Sequence, residues 1–391
     1  MGDASKSSSE MPGRGQADER AARAADAITD RHLRQLAYLP GTRLARIAWP
    51  SGRLPMVAGS WHYWWQAHVV DLLVDAAIHR CATLADDVDR LLRGIRLRNL
   101  GRWTNNYYDD MAWLGLAIER ADRHLGLTYD DGLATLVTQM VEAWMPARGG
   151  GIPWRKPDVF FNAPANGPAA ILLARAGEVE RATAMADWMD HTLVDDDSHL
   201  VIDGVKPLAG GGFERVTAIY TYCQGVVLGT ELELLRLTGE PVHADRLDRL
   251  LGAVETRLCD DGVIPGAGGG DGGLFSGILA RYLALVATDL PRGPATDGLR
   301  RRATALVTTS ADAAWTHRYD TESGPVFGPD WRTPAHPPSV GGGKAQLIGG
   351  AVHSSEVPER DLSVQLSAWM VLEAAAAIEL GSREHDETDA P

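Results

Sequence analysis

The chain reads as an all-α protein built from helical hairpins, and three observations carry that reading. Apolar residues recur at helical spacing through most of residues 18–380, and strand signal is sparse. Helices that open on aromatic and polar motifs alternate with more strongly charged helices. The motif-bearing starts recur every ~45–90 residues, mostly near ~55, which is the length of a helix hairpin.

Twelve helices are expected. The first, 18–38, follows a polar, Gly/Ser-rich N-terminus. The second, 61–79, opens on Trp61-His62-Tyr63-Trp64-Trp65, and the charged helix 82–96 (Arg90, Arg93) follows it. The next pair is 106–125, opening on Asn106-Tyr107-Tyr108-Asp109-Asp110, with 130–145 behind it. Then come 163–176 with 178–193 (Glu180, Arg181), and 217–238 with 241–258 (Asp245, Arg249). The series closes with 271–289, 295–312 and 361–380. Gly- and Pro-rich loops separate them at 146–158, 204–213, 260–270 and 321–360, and Leu200–Val205 reads as a short strand. Six motif-bearing and six other helices can close into an (α/α)6 barrel, with inner and outer helix rings and the inner ends facing one cleft. The same period also suits an open solenoid. One domain is expected over 18–380, with disordered segments at 1–17 and 381–391.

Composition narrows the function class. The formal charge of −14 argues against nucleic acid or an anionic membrane surface as partner and is compatible with a neutral substrate. Twelve Trp against five Phe is an unusual ratio; indole is a common platform for sugar rings and also ordinary core material, so at least half are expected in the core. Cys81, Cys223 and Cys259 form no CxxC pair, which suits a reducing compartment. No secretory signal is visible near the N-terminus and no apolar run reaches membrane-spanning length, so a cytoplasmic location is expected.

The stretch 106–113 carries the most chemistry. Asp109 and Asp110 sit side by side at a helix start, flanked by Tyr107, Tyr108 and Trp113. Hydrolysis of a sugar acetal needs two carboxyl groups in different protonation states, and two neighbouring carboxylates push one of their pKa values up. An Asp at a helix start is also an ordinary cap. Trp64 and Trp65 lie on adjacent faces of one helix, so at most one of them faces a given core. Asn162 and Asn166, four apart, share a helix face and suit sugar hydroxyls or helix capping equally. Tyr222 and Gln224 are further candidates, and Trp154 is an aromatic in a Gly-rich loop. His62 and His68 lack the i, i+4 spacing of a helical zinc site, so no metal or other cofactor is expected. Gly268–Gly273 fits GxGxxG by chance composition, with no strand before it, and reads as a flexible loop over the cleft rim.

Together these motifs resemble glycoside hydrolase family 76, the endo-α-1,6-mannanases, over residues 45–380. The resemblance rests on Trp61–His68, Tyr107–Trp113, Gly150-Gly151-Ile152-Pro153-Trp154, Asn162–Pro168, Thr221–Gly225 and Gly277–Leu283, in this order and near helix starts. It implies an (α/α)6 barrel that hydrolyses α-1,6-linked mannosides with retention, Asp109 as nucleophile and Asp110 as general acid/base. The implied partner is an α-mannan or mannooligosaccharide substrate. Leu114, Phe161, Cys223 and Ser276 depart from residues frequent in the family. A sugar epimerase using His62 and His68, and a non-catalytic glycan-binding protein, are the alternatives on the same barrel.

Overall fold

The computed structural model describes residues 15–51, 60–80, 84–339 and 345–388. Within them lie twelve α-helices: α1 (Gln16–His32), α2 (Tyr63–His79), α3 (Ala85–Arg98), α4 (Tyr108–Leu125), α5 (Asp130–Ala143), α6 (Ala163–Arg175), α7 (Val179–Leu193), α8 (Thr221–Thr238), α9 (Pro241–Ala253), α10 (Gly272–Asp289), α11 (Asp297–Thr316) and α12 (Leu362–Thr388). The even-numbered helices pack each on the next, and α12 returns to α2, so they close an inner ring. The odd-numbered helices back them from outside, and α1 packs on α12. The architecture is an (α/α)6 barrel.

The sequence explains which helices go where. Inner helices are buried nearly all round: in α6 every residue from Ala163 to Leu173 is buried. A helix with no polar face belongs between two layers of structure. Outer helices are amphipathic instead. In α3 the buried aliphatic residues are Val88, Leu91, Leu92 and Ile95, the i, i+3, i+4, i+7 stripe of a helix packed on one side only. α12 is apolar and long enough by composition to cross a membrane over Leu362–Arg383, yet 78% of that window is buried against its barrel neighbours. Gly277 sets the approach of α10 to α12, because a Cβ there would lie 2.6 Å from the Cα of Ser367.

Six tryptophans are buried, Trp65, Trp103, Trp113, Trp188, Trp331 and Trp369, which accounts for half of the twelve. Cys223 and Cys259 are free thiols, and Cys81 lies outside the described residues.

Several boundaries differ from the sequence expectation. α1 stops at His32 because Leu33–Arg34 (β1) pairs with Leu44–Ala45 (β2). The strand expected at Leu200–Val205 is Ile202–Pro207 (β4), the middle of a three-stranded antiparallel sheet with Phe161–Asn162 (β3) and Phe213–Ile219 (β5). β5 takes residues expected to begin a helix, so α8 starts only at Thr221. Two further hairpins are formed by Tyr319–Thr321 (β6) with Gly324–Val326 (β7), and by Gln346–Ile348 (β8) with Ala351–His353 (β9). α1 begins at Gln16, inside the segment expected to be disordered, whose residues 1–14 lie outside the described ones. α12 continues to Thr388, past its expected end at 380.

Because the inner helices all run the same way, their N-termini share one end of the barrel and their C-termini the other. The C-terminal end carries a cavity of about 960 Å³. There Arg120 and Arg281 each pair with both Asp71 and Asp75. Asp71 and Asp75 are therefore taken up by fixed ion pairs within the fold. The N-terminal end holds the candidate site.

Candidate active site

A cleft of about 700 Å³ opens among the N-termini of the inner helices. Its wall draws on residues before or at the start of α2, α4, α6, α8 and α10, and on the β8–β9 hairpin. Asp109 and Asp110, the second and third residues of α4, face it.

The start of α4 is pinned to the loop that leads into β3. The Tyr108 N–H donates to Trp154 O at 2.9 Å, and Tyr107 forms a β-bridge with Arg155. That brings the Trp154 indole onto the first carboxylate: Nε1 donates to Asp109 Oδ2 at 3.0 Å. Asp109 Oδ1 accepts from the Asp110 N–H at 2.9 Å. Asp110 receives one donor, Asn105 Nδ2, at 2.5 Å on Oδ2. Asn105 is itself fixed by the Tyr107 N–H, which donates to its Oδ1 at 2.8 Å.

The two carboxyls are electrostatically unequal. Burial raises the pKa of Asp109 to about 7, opposed by the hydrogen bonds from Asp110 N–H and Trp154, both of which favour the anion. Burial raises Asp110 well above the ordinary carboxylate range, and the neighbouring charge of Asp109 raises it further. Asp109 is therefore the one that ionises first, and Asp110 is the one that keeps a proton.

A third carboxylate sits opposite. Asp271 precedes α10, and its Oδ1 accepts from both Trp64 Nε1 at 2.9 Å and Trp65 Nε1 at 3.0 Å. Its Oδ2 accepts from the Val352 N–H at 2.6 Å. Burial raises its pKa to about 6, and its charge raises both members of the pair. Asp203, on β4, also lines the cleft, and burial raises it to about 6. Among the described residues no group of three or more His, Cys, Asp or Glu is arranged to hold a metal ion.

The structure brings most of the sequence candidates together and corrects others. Trp64, Trp113, Trp154, Asn162 and Tyr222 line the same cleft as the two aspartates. Tyr222 stacks on Phe275 with centroids 3.9 Å apart and ring planes 5° apart, an aromatic wall opposite the aspartates' helix. Asn162 serves also as N-cap of α6, its Oδ1 accepting from the Ala165 N–H at 3.3 Å. Trp65 is fully buried and reaches the site through Asp271, to which its Nε1 donates, and through its ring contact with His62. Asn166 is turned inward: its carboxamide accepts from Ile152 N–H and donates to Ile152 O and Asn162 O. Gln224 is used up likewise by Val201 N–H, Val201 O and Tyr220 O. Both amides fasten loops to inner helices and leave nothing for a sugar. Tyr108 points away from the cleft, with Lys156 Nζ 5.3 Å from its ring centroid. His62 lines the cleft, whereas His68 is buried beneath it, packed between Trp64 and Trp113.

Sequence reading missed Asp271, Asp203, Asn105 and the β8–β9 hairpin. Asp271 was visible as the polar residue opening an inner helix, the position that marks the other site elements; the surrounding glycine tract masked it. Asp203 was visible as an acid among the apolar residues of the expected strand.

The family model of glycosyl hydrolase family 76 matches residues 20–365. The fold matches the GH76A α-1,6-mannanase of Salegentibacter sp. HEL1_6 with a TM-score of 0.77 and 29% identity, covering 93% of this chain and 100% of that one. An inactive variant of that enzyme, with two consecutive aspartates changed to asparagine, forms a complex with α-1,6-mannotriose. The Lin0763 protein of Listeria innocua matches the fold at a TM-score of 0.76 and 24% identity, over 94% of this chain and 98% of that one. None of the curated proteins matches the sequence. With a barrel of six helical hairpins and a pair of adjacent, unequal aspartates at the shared helix N-termini, the chain belongs to glycosyl hydrolase family 76.

Proposed function

We propose that the protein is a glycosidase that cleaves α-1,6-linked mannosides with retention of configuration. The observation that carries the proposal is the inequality of Asp109 and Asp110. Two donors aimed at Asp109 favour its anion, while burial and its neighbour's charge keep Asp110 protonated. This is the division of labour that a retaining mechanism needs.

In the first step Asp109 attacks the anomeric carbon while Asp110 gives its proton to the departing glycosidic oxygen. In the second, Asp110, now a carboxylate, takes a proton from water as that water attacks the covalent mannosyl ester. The ester bond breaks, Asp109 leaves as the anion, and Asp110 regains its proton. Trp154 holds Asp109 in place and its hydrogen bond favours the returning anion.

The relative inactivated by replacing two consecutive aspartates supports this reading. Adjacent aspartates also occur in this chain at 86–87, 130–131, 195–197 and 260–261, but of these runs only Asp109–Asp110 lines the cleft. The substrate assignment draws on that relative's α-1,6-mannotriose complex. The aromatic lining, with Trp61, Trp64, Trp154, Tyr222 and Phe275, suits the apolar faces of pyranose rings.

The test is incubation with linear α-1,6-mannotetraose in ¹⁸O-water, read by mass spectrometry. Hydrolysis places one heavy oxygen at each new reducing end. Intact substrate after long incubation, or an isomer of unchanged mass, overturns the proposal.

A further inference from the structure

The β8–β9 hairpin does more than border the cleft; it crosses it. Its base is fastened at the start of α10, where Asp271 N–H donates to Val352 O at 2.8 Å and Val352 N–H donates to Asp271 Oδ2. Its tip lies against the other side of the barrel mouth. Gly350 has φ +107°, and a Cβ built on it would stand 2.7 Å from Trp154 Cη2, 2.8 Å from Arg155 Nη1 and 3.3 Å from the Tyr107 hydroxyl. Trp154 is the residue bonded to Asp109. One hairpin thus spans from one cleft carboxylate, Asp271, to the indole that holds another. Leu347, Gly350, Ala351 and Val352 line the cleft beneath it.

The ring order of the inner helices gives this span its consequence. α10 and α4 face each other across the ring, so a strap between their starts divides the mouth in two. On one side lie Ser60, Trp61 and Asn99, near the starts of α2 and α4; on the other lie Asn162, Asp203, Tyr220 and Tyr222, at α6 and α8. Both groups belong to one continuous cleft that contains Asp109 and Asp110. A glycan with sugars on both sides of the cleaved bond must pass beneath the hairpin.

We infer that this hairpin is a specificity-determining roof, which admits a single unbranched mannoside strand to the carboxylate pair and rejects one carrying side branches at the cleaved position. The inference rests on the glycosidase reading above and deepens it. A branch on the roofed ring has to occupy space held by Leu347–Val352, and exclusion by collision is an effective form of specificity. At the tip Gly350 stands against the Trp154 ring edge, the Arg155 guanidinium and the Tyr107 hydroxyl, and none of these contacts runs through a bond to Asp109, so shortening the loop removes the roof while the Asp109 hydrogen bonds remain.

The experiment compares kcat/KM on linear α-1,6-mannan and on the same backbone carrying 2-O-mannosyl branches. The wild type is expected to favour the linear chain by roughly a hundredfold, a size typical of steric exclusion. Replacing residues 347–351 by Gly-Gly, with Val352 retained, should narrow that ratio at least about tenfold. Gly350→Ala, which crowds the tip against Trp154, should narrow it in the same direction, so a poorly folding deletion does not decide the matter. Wild type cleaving both polymers at similar rates overturns the inference, as does a folded hairpin variant with the wild-type ratio. No cleavage of the linear chain by wild type overturns the glycosidase reading itself.

Discussion

Trp154 Nε1 donates to Asp109 Oδ2 at 3.0 Å, from a loop 45 residues further along the chain. The bond joins the two segments that define the candidate chemistry, the start of α4 and the loop before β3. It also makes one carboxylate of an adjacent pair different from the other. Two neighbouring aspartates in equal surroundings would share a proton; a donor fixed on one of them decides which is the anion.

Trp154→Phe keeps the ring and removes the donor. A hydrogen bond to a charged group is worth about 1.5–3 kcal/mol, so kcat/KM on an α-1,6-mannooligosaccharide should fall roughly tenfold or more. The Asp109 anion loses a partner, its pKa rises, and the acidic limb of the pH–rate profile moves to higher pH. Steady-state kinetics across pH checks both.

Asn105→Ala removes the donor on Asp110 Oδ2. That bond favours the charged form, so without it the Asp110 pKa rises and the protonated acid survives to higher pH. The basic limb of kcat/KM should shift upward while the acidic limb moves less. A basic limb that shifts downward contradicts the acid role.

Asp110→Asn should stabilise the fold at neutral pH. The folded-state pKa of Asp110 lies above its unfolded value, so the native state binds more protons than the unfolded chain once pH exceeds about 4. Stability from this group is fully present below that pH and is lost as pH rises toward the folded pKa. The variant is free of this loss. Its melting temperature should exceed that of the wild type at pH 7, and the gain should shrink toward pH 4.

Gln224→Ala removes three hydrogen bonds, the two to Val201 buried and the one to Tyr220 half-buried, that tie these residues to α8. Leaving buried backbone groups unpaired costs about 1–3 kcal/mol each, so the melting temperature should drop by several degrees. Since the amide does not face the cleft, KM should stay near the wild-type value. A raised KM with unchanged stability would return Gln224 to the binding site.

The ring of helices was legible because inner and outer helices differ in kind. α6 is apolar on every face, whereas α3 carries a stripe at Val88, Leu91, Leu92 and Ile95. The carboxylate pair was legible because Asp109-Asp110 opens a helix among aromatics. What was not legible depends on contacts between segments far apart. Asn166 and Gln224 look like sugar-binding amides until the loops at Ile152 and Val201 are seen to occupy them. Asp271 acquires its role only when Trp64, Trp65 and Val352 converge on it from elsewhere in the chain. β8 and β9 are three residues each, too short for alternation to stand out from a Gly-rich loop.

The claim that Asp109 is the ionised partner of an unequal pair is tested most directly by trapping the intermediate. Protein incubated with 2-deoxy-2-fluoro-mannosyl fluoride, whose intermediate turns over slowly, is weighed intact and then mapped by peptide mass spectrometry. The account predicts one fluoromannosyl adduct per chain, located on Asp109 and lost in Asp109→Asn. An adduct on Asp110 or Asp271, or steady turnover by Asp109→Asn, would contradict it.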